Sequence, residues 1–175
     1  YSAYERGFYD DLVSPFRSIK RDNVLRPDTT LDKLATLKPA FDRKSGLGTL
    51  TAGNSTPLTD GANALLLASP DWARAEGHEI VAELVDAEVS AVDFIGGEGL
   101  LMAPTLAAAR LLQRNSLSFA DFDLFEIHEA FAAQALCTLA AFESDGYCRE
   151  RLSLPQALGA IDRSKLNIAG GSLAT

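Results

Sequence analysis

The run from Asp123 to Gln134, Asp-Leu-Phe-Glu-Ile-His-Glu-Ala-Phe-Ala-Ala-Gln, constrains this chain more than any other. An apolar strand-like stretch passes within a few residues into an Ala-rich helical one, and His128 and Glu129 stand where the chain changes direction. Strand-to-helix turns are where α/β proteins tend to hold reactive groups, beside unpaired helix N–H donors. A His in a first helical turn also feels the positive helix end, which disfavours imidazolium. Kept neutral, it can donate a hydrogen bond to a carbonyl oxygen as negative charge develops there. Taken alone, a His at such a boundary is more often structural than chemical, and a chemical role needs partners elsewhere in the chain.

The composition restricts where to look. With 175 residues, 47% of them hydrophobic, the chain can build one sizeable core or pieces of two domains. No apolar run is long enough to span a bilayer, and the first residues lack the basic-then-apolar pattern of a secretory signal. Two cysteines make no disulfide framework, which reads as reduced thiols of an unsecreted protein, cytoplasmic or in an organellar matrix. Cys137, on an apolar helix, reads as core, and Cys148, in a polar segment, as incidental. No metal site is expected. The net charge of −8 argues against a nucleic-acid partner. That charge is uneven: through Lys44 there are nine Lys/Arg against seven Asp/Glu, and from Ser45 onward seven against seventeen. Arg17, Lys20, Arg21, Arg26, Lys33 and Lys38 form either an ordinary solvated surface or a modest positive face for a phosphorylated small molecule.

Along the chain, Tyr1 to Asp11 reads as the end of an amphipathic helix. Pro15, Pro27 and Pro39 then punctuate an irregular excursion, with a short helix at Thr30 to Ala35. A strand from Gly48 enters a turn at Asn54-Ser-Thr-Pro57, dense in side chains that bond the backbone. Helices are expected at Ala62 to Ala68 and Asp71 to Gly77, with Gly77 as a stop, and a strand at Glu79 to Asp86. Gly96, Gly97 and Gly99 precede a helix near Pro104 to Arg114; no strand leads tightly into them, which rules out a dinucleotide fingerprint. Phe131, Ala135, Leu139 and Phe142 share one helical face and read as core. Glu143 to Lys165 is polar and reads as an inserted subdomain. The last strand, from Leu166, opens into Gly170-Gly171, where a backbone bends sharply or lies against a ligand.

Three segments carry a resemblance: Gly48-Thr-Leu-Thr-Ala-Gly-Asn54-Ser55-Thr56-Pro57-Leu-Thr-Asp60-Gly61-Ala62, then Ile127-His128-Glu129-Ala130-Phe131-Ala-Ala-Gln134, then Asn167-Ile-Ala-Gly170-Gly171-Ser172-Leu-Ala174. In this order they resemble the thiolase superfamily. The His-Glu-Ala-Phe form, where many relatives have Asn-Glu-Ala-Phe, is most similar to the long-chain 3-ketoacyl-CoA thiolases that form the β-subunit of fatty-acid oxidation complexes. A short-chain or biosynthetic thiolase remains an alternative.

The resemblance implies an α/β fold, part of the layered thiolase architecture with two βαβαβ-type halves. It divides the chain into the end of the CoA-covering loop region (1–52), the end of the N-terminal half (53–77) and the start of the C-terminal half (78–175). It implies an acyltransferase that cleaves 3-ketoacyl-CoA with CoA, or condenses in reverse, through an acyl-cysteine intermediate. The nucleophilic Cys would precede Tyr1, with a catalytic base and second Cys beyond Thr175; neither Cys137 nor Cys148 matches. His128 would donate to the thioester oxyanion of the enolate-forming substrate. Ser55 and Thr56 would touch the pantetheine arm, and Ala130 and Phe131 would border its tunnel. Asn54, with Asp60, would fix its turn, and Gly170 and Gly171 would shape the site. Glu129 either orients its neighbour or is purely structural. Ala169 departs from the polar residue many relatives carry. No cofactor is implied beyond CoA and acyl-CoA as substrates. Partners implied are a second copy or more and, for this branch, a hydratase/dehydrogenase subunit. The rival class is a thiolase-like protein that only binds CoA or lipid or serves assembly. The related ketoacyl synthases share the fold, but Asn54-Ser-Thr-Pro and His128-Glu-Ala-Phe argue against them.

Overall fold

A computed structural model describes residues 1–171; the Ser172-to-Thr175 end of the expected glycine strand lies outside them. Among the described residues six α-helices form: α1 (Ser2–Glu5), α2 (Leu31–Ala35), α3 (Pro70–Ala75), α4 (Ala103–Asn115), α5 (Ala132–Glu143) and α6 (Asp145–Leu152). Side-chain oxygens of Thr30, Ser69 and Ser144 cap α2, α3 and α6 by accepting from Lys33, Trp72 and Tyr147 backbone N–H groups. Gly77 follows α3 with φ +73°, the left-handed stop that glycine permits.

The core sits between α4, α5 and α6 and the segments flanking them. Leu112, Phe119, Leu139, Phe142 and Ile161 make one buried cluster, against which Phe122, Phe125, Ile127 and Leu166 pack. Ala109, Cys148, Leu152 and Leu154 make a second, joined to the first through Leu158. The Ala135-Leu139-Phe142 face of α5 is thus core, as its spacing predicts, while Phe131 stands just before the helix.

Several expectations are overturned. The first helix closes at Glu5 and does not reach Asp11. Residues 62–68 carry no helix, and Leu65, Leu66 and Leu67 are largely exposed; so short a helix is marginal without a surface to pack on. Residues 79–86 likewise carry no ladder, because no strand neighbour lies beside them among the described residues. The polar stretch after α5 is no separate subdomain: α6 follows at once and packs on α4 and α5. The cysteines are reversed accordingly. Cys137 is exposed on α5, whereas Cys148 is fully buried and its thiol donates to the Ala141 carbonyl at 3.4 Å.

Strand pairing is reduced to short bridges, and two of them set the site. Phe125 pairs in parallel with Leu166, and Ser55 pairs antiparallel with Phe131. Both ends of the His128 segment are therefore tied to distant chain.

Candidate functional site

The first half of the site is built on the turn at Asn54. Its carboxamide accepts from Thr51 N–H at 2.7 Å and donates to the Thr49 carbonyl at 3.0 Å. That closes the turn and leaves the next residues free to pair. Thr56 N–H donates to the Ala130 carbonyl at 2.9 Å, and Ala132 N–H to the Asn54 carbonyl at 3.0 Å. The result joins Asn54, Ser55 and Thr56 to Ala130 and Phe131, distant in sequence, as the Ser55–Phe131 bridge requires. Phe41 closes over Phe131 edge-on, with ring centroids 5.7 Å apart.

In front of this pairing opens a cavity of about 790 Å³. Val24, Leu25, Leu34, Leu37 and Phe41 give it an apolar wall, and Ser55 and Thr56 a polar one. The Ser55 hydroxyl is buried and lacks a hydrogen-bond partner among the described residues, a costly condition for a polar atom unless something enters to meet it. Of the six cations weighed as a positive face, Arg26 and Lys33 reach the cavity. The others do not: Arg21 pairs with Glu5 at 3.8 Å and lies over Tyr4, and Arg17 lies over the Phe16 ring. Lys33 is itself held by Asp28 at 2.5 Å, and this hydrogen bond keeps the Asp28 carboxyl below the ordinary carboxylate range.

The second half of the site is the turn that bears His128. Phe125 N–H donates to the Lys165 carbonyl at 2.9 Å and Asn167 N–H to the Phe125 carbonyl at 2.8 Å. The Asn167 side chain then accepts from Ile127 N–H at 2.8 Å and donates to the Ile127 carbonyl at 3.0 Å. His128 follows at once and is exposed. It does not sit in the first turn of α5, which begins four residues later. Phe131, paired with Ser55, is extended at φ −142° and ψ 139°, so the helix starts only at Ala132. A helix field decays within one turn, so the expected influence on His128 does not hold.

Gly170 and Gly171 close this half. Gly170 turns at φ +111°, with its N–H on the Asn167 carbonyl at 2.9 Å. Gly171 lies under the Glu129 carboxyl group, where an added Cβ would come within 2.7 Å of the carboxyl carbon. The Tyr9 hydroxyl donates to the Ala169 carbonyl at 3.2 Å from the other side. Ser55 and Thr56 line the cavity, Ala130 and Phe131 pair with them behind its wall, and Glu129 meets Gly171 apart from its lining, with His128 and Gly170 adjoining them in sequence. Asn167, Tyr9 and Phe41 were not among the expected site residues. The signal for Asn167 was a lone carboxamide between Leu166 and Ile168 before two glycines.

Three packed helices, strand pairing reduced to bridges, and a largely apolar cleft with Ser55 and Thr56 in its wall are the geometry into which the comparisons with known proteins fit. The chain belongs to the thiolase family: the model described as Thiolase, N-terminal domain matches residues 3–71, and that described as Thiolase, C-terminal domain matches residues 78–175. Relatives include a 3-ketoacyl-CoA thiolase of Shewanella loihica, 45% identical over 93% of this chain and 36% of its own length. Another, of Yersinia enterocolitica, is 41% identical over 98% of this chain and 40% of its own length. The crystal structure of human mitochondrial 3-ketoacyl-CoA thiolase in complex with CoA superposes with a TM-score of 0.79 at 31% identity, over 99% of this chain and 39% of that one. The dimeric peroxisomal thiolase of Saccharomyces cerevisiae gives 0.75 at 31%, over 99% of this chain and 40% of its own. The fold is therefore the layered α/β thiolase fold, and the chain spans about two fifths of the length of these relatives. Among the described residues no helix is long and apolar enough to cross a membrane.

Proposed function

We propose that this chain is the part of a 3-ketoacyl-CoA thiolase that receives the pantetheine arm and stabilises the departing acetyl-CoA enolate. The observation that carries the reading is the partnerless Ser55 hydroxyl in the wall of a largely apolar cleft with Arg26 on its lining. An acyl-CoA has the matching parts: amides along a flexible arm, an apolar acyl chain, and phosphates at the far end. The relatives' printed names, which include 3-ketoacyl-CoA thiolase and a structure with CoA, support the same ligand.

In the proposed reaction a cysteine outside this chain attacks the 3-keto carbon, and the C2–C3 bond breaks toward C2. The electron pair moves onto the thioester oxygen of the leaving acetyl-CoA, where His128 donates a hydrogen bond to the enolate oxygen. Protonation of C2 releases acetyl-CoA, and the thiol of a second CoA takes the acyl group from the cysteine. Ser55 and Thr56 hold the arm, Ala130 and Phe131 set the wall behind them, and Asn54 fixes the turn that presents them. Residues 1–52 act as the end of the CoA cover, 53–77 close one thiolase half and 78–175 open the other.

We place the whole protein in the cytoplasm or an organellar matrix, as at least a homodimer. The Saccharomyces relative is described as dimeric. A hydratase/dehydrogenase subunit is the further partner that the His-Glu-Ala-Phe motif favours. The test is the full-length protein with His128→Ala, assayed for thiolysis of 3-ketoacyl-CoA. Loss of one oxyanion donor lowers kcat by roughly 10²–10³-fold with the melting temperature unchanged. Turnover at the wild-type rate removes His128 from the chemistry, and no thiolysis by the wild-type protein at any acyl length removes the reaction itself.

A further inference from the structure

We infer that Asn167 is the residue that positions His128, its carboxamide standing in for one further rung of the parallel ladder. The inference rests on the reading of His128 given above.

The geometry is that of a strand replaced by a side chain. One parallel rung is made by main chain alone: Phe125 N–H to Lys165 carbonyl at 2.9 Å, and Asn167 N–H to Phe125 carbonyl at 2.8 Å. A continuing strand would offer the next donor and acceptor to Ile127. The main chain instead leaves at Asn167, whose φ of +48° lies in the left-handed region, and turns so that Gly170 N–H returns to the Asn167 carbonyl at 2.9 Å. The Ile127 N–H and C=O are nonetheless both satisfied, at 2.8 and 3.0 Å, by Asn167 Oδ1 and Nδ2.

Few residues meet both conditions. The backbone asks for one that tolerates positive φ, which selects Gly, Asn or Asp. The rung asks for a donor and an acceptor on one short planar group, which selects a carboxamide. Gly has no side chain, Asp has no donor, and Gln is a methylene longer. Asn alone supplies all three properties. Its consequence falls on the next residue, because Ile127 is held at both polar groups and His128 is attached to it. The same turn brings Gly171 beneath the Glu129 carboxyl, so the His128-Glu129 pair is located from one side by Asn167 and its glycines.

The test uses the full-length protein and four variants: Asn167→Gly, Asn167→Asp, and each combined with His128→Ala. Asn167→Gly keeps the backbone freedom and removes the clamp, and Asn167→Asp keeps the shape and loses the donor. Each single variant lowers kcat by roughly 10²-fold, the scale of a displaced catalytic group, with KM for CoA within about twofold. In the His128→Ala background the same changes cost less than about threefold, because a residue acting through His128 has nothing left to position. Full cost in that background overturns the positioning role while leaving His128 in the mechanism. Wild-type kcat in the Asn167 variants overturns it as well. Wild-type kcat in His128→Ala alone overturns both readings. If neither Asn167 variant yields folded protein by circular dichroism, the residue serves folding, and the inference fails.

Discussion

Gly171 is where a single methyl group tests the site. Its φ is not in the left-handed region; the obstacles are the Glu129 carboxyl, which the new Cβ would strike, and Asn167 Nδ2 at 3.0 Å. The carboxyl ends a flexible side chain that can swing aside, so the cost lies at the low end of overpacking, about 1 kcal/mol. We expect Gly171→Ala to lower the midpoint of urea unfolding and to reduce turnover by shifting Glu129 beside His128. Adding Glu129→Ala removes the larger obstacle and restores most of the midpoint shift, though not turnover if Glu129 orients its neighbour. A double variant no more stable than Gly171→Ala would show that the glycine is needed for another reason. The glycine pair was legible in the sequence as a bend or a close approach, and the structure divides the labour: Gly170 bends and Gly171 makes room, for a side chain of the chain itself. Asn54 was legible for the same reason, because its partners at Thr49 and Thr51 are local. Asn167 was not, because its partner lies 40 residues away and a sequence shows no such distance.

At the scale of elements, α4 does more than fill the core. Arg114 on its last turn binds Asp86 through Nε and Nη2 at 2.9 Å each and Glu88 through Nη1 at 2.6 Å, and Asn115 also donates to Asp86. This fork-like contact fastens residues 86–88, which have no ladder, to the helix. The Arg114 hydrogen bond, then that of Asn115, holds the Asp86 carboxyl well below the ordinary carboxylate range, and Arg114 lowers Glu88 in the same sense. A carboxyl depressed by folding stabilises the fold above its unfolded pKa and ceases to do so as pH falls through its folded value. Arg114→Ala should therefore speed hydrogen exchange and proteolysis at 86–88 at neutral pH, and the difference from wild type should shrink below about pH 4. A difference that persists undiminished into acid would mean that packing, and not the carboxylates, fastens the segment. The helices α2 to α5 were readable because their caps, stops and apolar spacing are local. Segments 62–68 and 79–86 were misread because an Ala/Leu run or an alternating one is settled by what packs beside it. The α6 region misled for the opposite reason: among Arg and Glu, only Cys148 and Leu152 are buried, too sparse a stripe to announce a core helix.

At the scale of the molecule, the two buried clusters leave much apolar surface in water. Leu65, Leu66, Val81, Leu84, Val85, Val89 and Ile95 are each between 69% and 90% exposed. They fall in two stretches, 65–67 and 81–95, that hold no regular structure. Where exposed apolar side chains gather in this way, association with another protein surface is the expected outcome. The charge of −8 works against association, but its repulsion is screened beyond about 8 Å at physiological ionic strength, whereas the apolar attraction is not. Produced alone, the 175-residue chain should therefore bind a hydrophobic dye such as ANS and travel in sedimentation as species heavier than 18.7 kDa. Replacing Leu66, Val81 and Val85 together by Gln removes apolar area without touching α4, α5 or α6. It should thus reduce both dye binding and association while leaving the helical circular dichroism as it was. Monomeric sedimentation of the unaltered chain, with no dye bound, would mean that those side chains find cover within these 175 residues in solution.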